Sequence, residues 1–124
     1  MSSVAARRVL RDRVRTNRAA STERRAAAQA ARRVRTGARS LVTHVIATGA
    51  DAATVKGVVK ALRTAAKNAG VKGRRARIRR SFDGARNVVK TVYRYTRAQV
   101  AQIAAAYKPR KADYKAVRAA LIAA

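Results

Sequence analysis

From position 51 onward the aliphatic residues fall three and four apart. Val55, Val58, Val59, Leu62, Ala65 and Ala66 share one side of a helix that Asp51 caps and Asn68-Ala69-Gly70 ends. Ile78, Phe82, Ala85, Val89 and Val92 follow at spacings of 4, 3, 4 and 3, which predicts another helix from about Arg74 to Tyr95, interrupted near Asp83-Gly84. Upstream, Leu41, Val42, Val45 and Ile46 make a short apolar face that stops at Gly49. Thr96 and Gln99 match a capping box, opening a helix with Val100, Ile103, Ala104 and Tyr107 on one face before Pro109 ends it. A final helix carries Tyr114, Val117 and Leu121. No stretch shows a strict two-residue alternation, so the expected fold class is all-α.

The first 39 residues read differently. Their large aliphatics are limited to Val4, Val9, Leu10, Val14 and Val34, yet Ala and Arg dominate, and no Gly or Pro interrupts before Gly37. A long helical arm results. Asn17 to Ser21 is its weak point, where Ser21 as an N-cap and Glu23 in the next turn would split it into a helix-turn-helix over about 3–18 and 22–36. The expected organisation is an Arg-rich arm over 1–39 and a helical bundle, serving assembly, over 40–124.

Charge is more informative about function than patterning is. Lys and Arg number 31 against 5 acids, a net +26. So many like charges repel one another in any compact state, and a polyanion relieves them. Duplex DNA carries a phosphate per ~1.7 Å of axis, so this charge matches roughly 13 base pairs. In the first 40 residues all 12 basic positions are Arg, opposed only by Asp12 and Glu23.

On a helix, Arg7, Arg8, Arg11, Arg15 and Arg18 fall within an arc of about 100°. Arg24, Arg25, Arg32, Arg35 and Arg39 form a second stripe with Arg33 at its margin. Guanidinium is planar, permanently charged and able to donate two parallel hydrogen bonds to one phosphate, so these are candidate nucleic-acid-binding residues. The other face is largely Ala (Ala5, Ala6, Ala19, Ala26, Ala27, Ala30, Ala31), which permits close approach but lacks the bulk that membrane insertion needs. The run Lys72-Gly73-Arg74-Arg75-Ala76-Arg77-Ile78-Arg79-Arg80 adds six candidates, Lys72, Arg74, Arg75, Arg77, Arg79 and Arg80, at an expected helix start, where free backbone amides suit phosphate. A nuclear-localisation signal is the competing reading of that run.

Several classes fall away. There is no Cys, so disulfide scaffolds and thiolate sites are excluded. The longest uncharged stretches, Ser40 to Ala50 and Ala98 to Tyr107, are far shorter than the ~20 residues of a membrane span. An N-terminal transit peptide is disfavoured because the arm runs unbroken into further helix. His44 lacks potential co-ligands nearby and reads as a structural histidine, Asp51 and Asp83 as helix caps. The chain offers no catalytic triad, paired acids or phosphate loop, so no enzyme, cofactor, metal or small-molecule substrate is expected. Tyr107 and Tyr114 read as core or interface residues. With aromatics at 4% and none in the arm, base stacking is not the expected binding mode, and double-stranded nucleic acid is favoured over single strands.

An arginine-rich helical arm followed by a small helical bundle resembles the major capsid proteins of filamentous and rod-shaped archaeal viruses. The resemblance implies a structural protein of the virion. Its dimers, homo- or heteromeric, would wrap double-stranded DNA with the arm arginines, hold it in A-form and bury it in a helical filament, the nucleocapsid, with the bundles as the outer shell. Two arms at +10 each would neutralise about 10 base pairs, and an arm over 3–36 would be ~51 Å long. The alternatives are a ribosomal protein binding structured RNA and a cytoplasmic nucleoid-associated protein that bends or bridges DNA. All three contact phosphate and shape without base specificity.

Overall fold

A computed structural model describes residues 3–82 and 84–124, with the side chains at 80–82 and 85–87 outside the described set. In chain order the elements are α1 (Val4–Thr36), α2 (Leu41–Ile46), α3 (Ala52–Ala69), β1 (Arg74–Phe82), β2 (Ala85–Arg94), α4 (Arg97–Ala106) and α5 (Ala112–Ala123). The fold is thus mostly helical with one small sheet.

α1 is a single helix of 33 residues, about 50 Å long, and is not split at Asn17 to Ser21. Ser3 caps it by accepting from the Ala6 amide at 3.1 Å. Ser21 does not act as a cap because the helix runs straight through it. The Thr16 and Thr22 hydroxyls donate to the carbonyls of Asp12 and Arg18 one turn back, each at 2.9 Å, so residues that often break helices satisfy themselves within this one. Only Ala30 and Val34 of α1 are buried, where its last turns pack against α2. Val4, Val9, Leu10 and Val14 stand exposed.

The segment expected as a helix from 74 to 95 is instead an antiparallel hairpin, β1 pairing with β2 from Arg74 opposite Arg94 to Phe82 opposite Ala85, with a register irregularity between Arg80 and Phe82. Two local preferences outweigh the helical spacing. Ile78, Val88, Val89, Thr91, Val92 and Tyr93 suit a pleated surface, and Asp83-Gly84 is a hairpin-turn dipeptide, with Gly84 at φ +81°. The helical spacing is incidental: Ile78 and Val92 share one face of the ribbon and Val89 lies on the other. Asp83, expected as a cap, and the side chains of Arg80, Phe82 and Ala85 lie outside the described residues.

The core joins α2, α3, α4 and α5 through Leu41, Val45, Val58, Leu62, Ala66, Val100, Ile103, Val117 and Leu121, with Tyr107 at its edge. Gly70, at φ +71°, ends α3, and the Val71 amide donates to the Ala66 carbonyl at 3.1 Å beyond it. The capping box opening α4 is present: Gln99 amide to Thr96 hydroxyl at 3.3 Å, Thr96 amide to Gln99 Oε1 at 2.9 Å. Arg118 closes the other end of α4, donating from Nε to the carbonyls of Ala104 and Tyr107 at 3.0 and 2.7 Å. Gly57 is required because a Cβ there would overlap the Tyr114 hydroxyl, which packs α5 onto α3.

Burial separates residues that the sequence pattern makes look alike. Leu62→Ala, at a fully buried site, is expected to cost about 2–5 kcal/mol in chemical denaturation. Leu10→Ala, on the exposed part of α1, is expected to change stability by less than about 0.5 kcal/mol.

Candidate nucleic-acid interface

Cations gather on three surfaces. The first is α1. Its body-facing side is set by Ala27, Ala30 and Val34, and a helical step of 100° places Arg7, Arg11 and Arg18 on the far side, with Arg8 and Arg15 on one flank. All five are exposed, as are Arg24, Arg25, Arg32, Arg33 and Arg35. The helix has only Asp12 and Glu23 as acids, and no α1 arginine has an acidic partner among the described residues. Two of the expected phosphate ligands are engaged locally. Arg35 Nε donates to the Ala31 carbonyl at 3.2 Å, and half-buried Arg39 donates from Nε to the Arg33 carbonyl at 3.1 Å, satisfying the open end of the helix.

The second surface is the hairpin. The basic run from Lys72 does not begin a helix, so the free amide terminus expected there does not exist: β1 amides alternate between the paired strand and the open edge of the ribbon. Alternation does something else with the same residues. Arg75, Arg77 and Arg79 lie on one face, opposite Tyr93, Thr91 and Val89, and all six are exposed. Ala76, Ile78 and Val92 share the other, half-buried face. Guanidinium groups two residues apart repeat every ~6.8 Å, twice the axial phosphate step of one DNA strand. Arg74 and Lys72 are exposed at the base of the ribbon, where the Lys72 carbonyl accepts from Gln99 Nε2 at 3.2 Å.

A short junction aims the ribbon. Arg39 and Tyr95 form an isolated bridge, with amide-to-carbonyl distances of 2.9 and 2.7 Å, tying the end of β2 to the entry of α2. His44, 3% exposed, brings Nε2 to 2.8 Å from the Tyr95 carbonyl; that acceptor makes Nε2 the protonated nitrogen. Tyr95 in turn lies flat against Gly73, where a Cβ would strike its ring.

The third surface was not singled out from the sequence, although its signal is there. Lys56, Lys60, Arg63 and Lys67, at spacings of 4, 3 and 4, are all exposed along α3, opposite the buried Val58, Leu62 and Ala65. Beside them a cleft of about 1080 Å³ opens between α1 and α3, floored by Val42, Ile46, Val55 and Val59. Its chemistry is apolar at the floor and cationic at the rim. Among the described residues no group of three or more His, Asp or Glu is placed to hold a metal ion, and no helix is long and apolar enough to cross a membrane.

Burial pulls the His44 imidazole below its ordinary 6.5, with Arg97 acting in the same direction and hydrogen bonds to the Tyr95 and Arg39 backbone carbonyls opposing. The unfolded chain therefore takes up this proton first as pH falls, so stability is lost on acidification below about pH 6.5. The exposed Asp51, held low chiefly by the Thr54 hydroxyl, acts in a more acidic window below its ordinary 3.8. Denaturation midpoints are expected to fall between pH 7 and pH 5, and His44→Gln, which keeps an N–H for the Tyr95 carbonyl, is expected to flatten that dependence.

No protein-family model, curated protein or solved structure matches the chain.

Proposed function

We propose that this chain is a structural, non-catalytic protein that coats and packages double-stranded nucleic acid through phosphate contacts, without reading base sequence. The observation that carries the reading is the exposed, unpaired stripe of Arg7, Arg8, Arg11, Arg15 and Arg18, which runs along the far side and one flank of α1. Holding these charges beside one another costs free energy in the free protein, and a phosphate backbone offsets that cost while releasing counterions. The fuller form of the proposal is a dimer that assembles along viral DNA into a helical nucleocapsid filament. The exposed Val9, Leu10 and Val14 supply apolar surface for contacts between copies.

A second reading, a nucleoid-associated protein that bends or bridges DNA, is favoured by one feature the all-helical expectation lacked. The ribbon presents three arginines on one face and an exposed Val88 and Val89 on β2 beyond its middle, chemistry suited to entering a groove.

Binding to duplexes of unrelated sequence is expected to be equal within a few-fold and strongly salt-dependent. Replacing the five α1 arginines by Gln is expected to lower the slope of log K against log[salt] by about 4. Folding should be unaffected because the side chains are exposed. Fluorescence titrations at several salt concentrations measure this, and an unchanged slope would overturn the reading. Electron microscopy of saturated complexes separates the two forms: regular filaments for a coat, bent or bridged duplexes for a nucleoid protein. Co-sedimentation with RNA alone would favour the ribosomal alternative over both.

A further inference from the structure

We propose that α3 enters the major groove of B-form DNA, with Lys56, Lys60, Arg63 and Lys67 on the groove walls, so that the partner is duplex DNA and not duplex RNA. The inference rests on the phosphate-binding reading above and narrows it to the B-form duplex that a nucleoid-associated protein meets, in place of the A-form duplex of the capsid resemblance.

Three observations support it. The four cations form an exposed stripe within an arc of about 60°, and α3 contains no Asp or Glu to balance them. Cations placed four apart repel along a helix, so a purely solvated face would be expected to interleave acids. The neighbouring exposed positions are small, Ala52, Ala53 and Thr64, so the helix can sit deep between two strands. Finally, α3 follows α2 through a short connection containing Gly49 at φ +83°, packs against it, and runs through Gly70 into the ribbon. A short first helix thus braces a longer second one, and the ribbon leaves from that second helix's end.

Geometry selects the duplex. The B-form major groove is about 12 Å wide, enough for a helix, whereas the A-form major groove of RNA is too narrow to admit one. Lys56 to Lys67 spans about 16 Å, or roughly five base pairs along the groove. The flanking cleft places Glu23 and Arg24 of α1 opposite Lys56, Lys60 and Arg63 across its rim. Those two opposed charges leave the stripe's excess intact.

Lysine acetylation of the wild-type protein tests the placement directly. Bound DNA duplex is expected to protect Lys56, Lys60 and Lys67 at least about tenfold relative to Lys108, Lys111 and Lys115, while a matched RNA duplex gives them no selective protection. In titrations, a variant with Lys56, Lys60, Arg63 and Lys67 all replaced by Gln is expected to lower the DNA salt slope by 3 to 4 and leave the RNA slope unchanged. The triple change Lys56→Arg, Lys60→Arg, Lys67→Arg is expected to keep the wild-type slope. Equal protection across all six lysines, or equal losses for DNA and RNA, would overturn this placement. A steep wild-type salt slope alongside either result would leave the broader phosphate-binding reading standing.

Discussion

Electrostatic self-repulsion is the constraint around which this molecule is arranged. A net +26 on 124 residues cannot be neutralised from within, since five acids are spread over the whole chain. The structure responds by separation. The apolar residues are concentrated in a small core shared by α2 to α5, and the cations are moved outward along a helix of about 50 Å, a two-stranded ribbon and the outer face of α3. The helices keep their backbone hydrogen bonds internally, while the ribbon pairs its strands on their inner edges and leaves alternate amides on the outer edges open to solvent. These regular elements, and not loops, carry the charge.

What links the basic elements to the core is modest in size and specific in chemistry. Arg39 satisfies the end of α1, pairs its backbone with Tyr95 and so meets the end of β2; His44 completes the junction from inside the core. One buried imidazole therefore sits where α1, α2 and the ribbon converge. Arg118 plays a comparable part at the far end, closing α4 while α5 packs beside it. Not every arginine in so basic a chain is available to a ligand, and these two are structural.

Much of this was legible in the sequence, for physical reasons that also explain the exceptions. The α3 and α4 helices are legible because their apolar residues keep a helical period between recognisable ends: α3 runs from the N-cap position Asp51, whose side chain accepts from the Thr54 hydroxyl and not from a backbone amide, to Gly70, and α4 from Thr96 to Tyr107, two residues before Pro109. The arginine stripe of α1 needed only helical geometry to appear. The hairpin is hidden because Ile78, Phe82, Ala85, Val89 and Val92 keep a helical spacing although Val89 and Val92 end on opposite faces of the ribbon, and because Asp83-Gly84 suits a helix interruption as well as a turn. The break at Ser21 failed because nearby Thr hydroxyls bond back into the helix. The α3 cations were passed over because a charged outer face on an amphipathic helix looks ordinary until its lack of acids is noticed.

Phosphate contact along the arginine stripe of α1 is what the whole functional reading requires. A cryo-electron microscopy map of the protein bound at saturation to a duplex would reveal that contact. Guanidinium density from Arg7, Arg8, Arg11, Arg15 and Arg18 is expected within hydrogen-bonding distance of successive phosphates. A map in which that stripe looks into solvent, with the duplex held elsewhere or not at all, would contradict the reading.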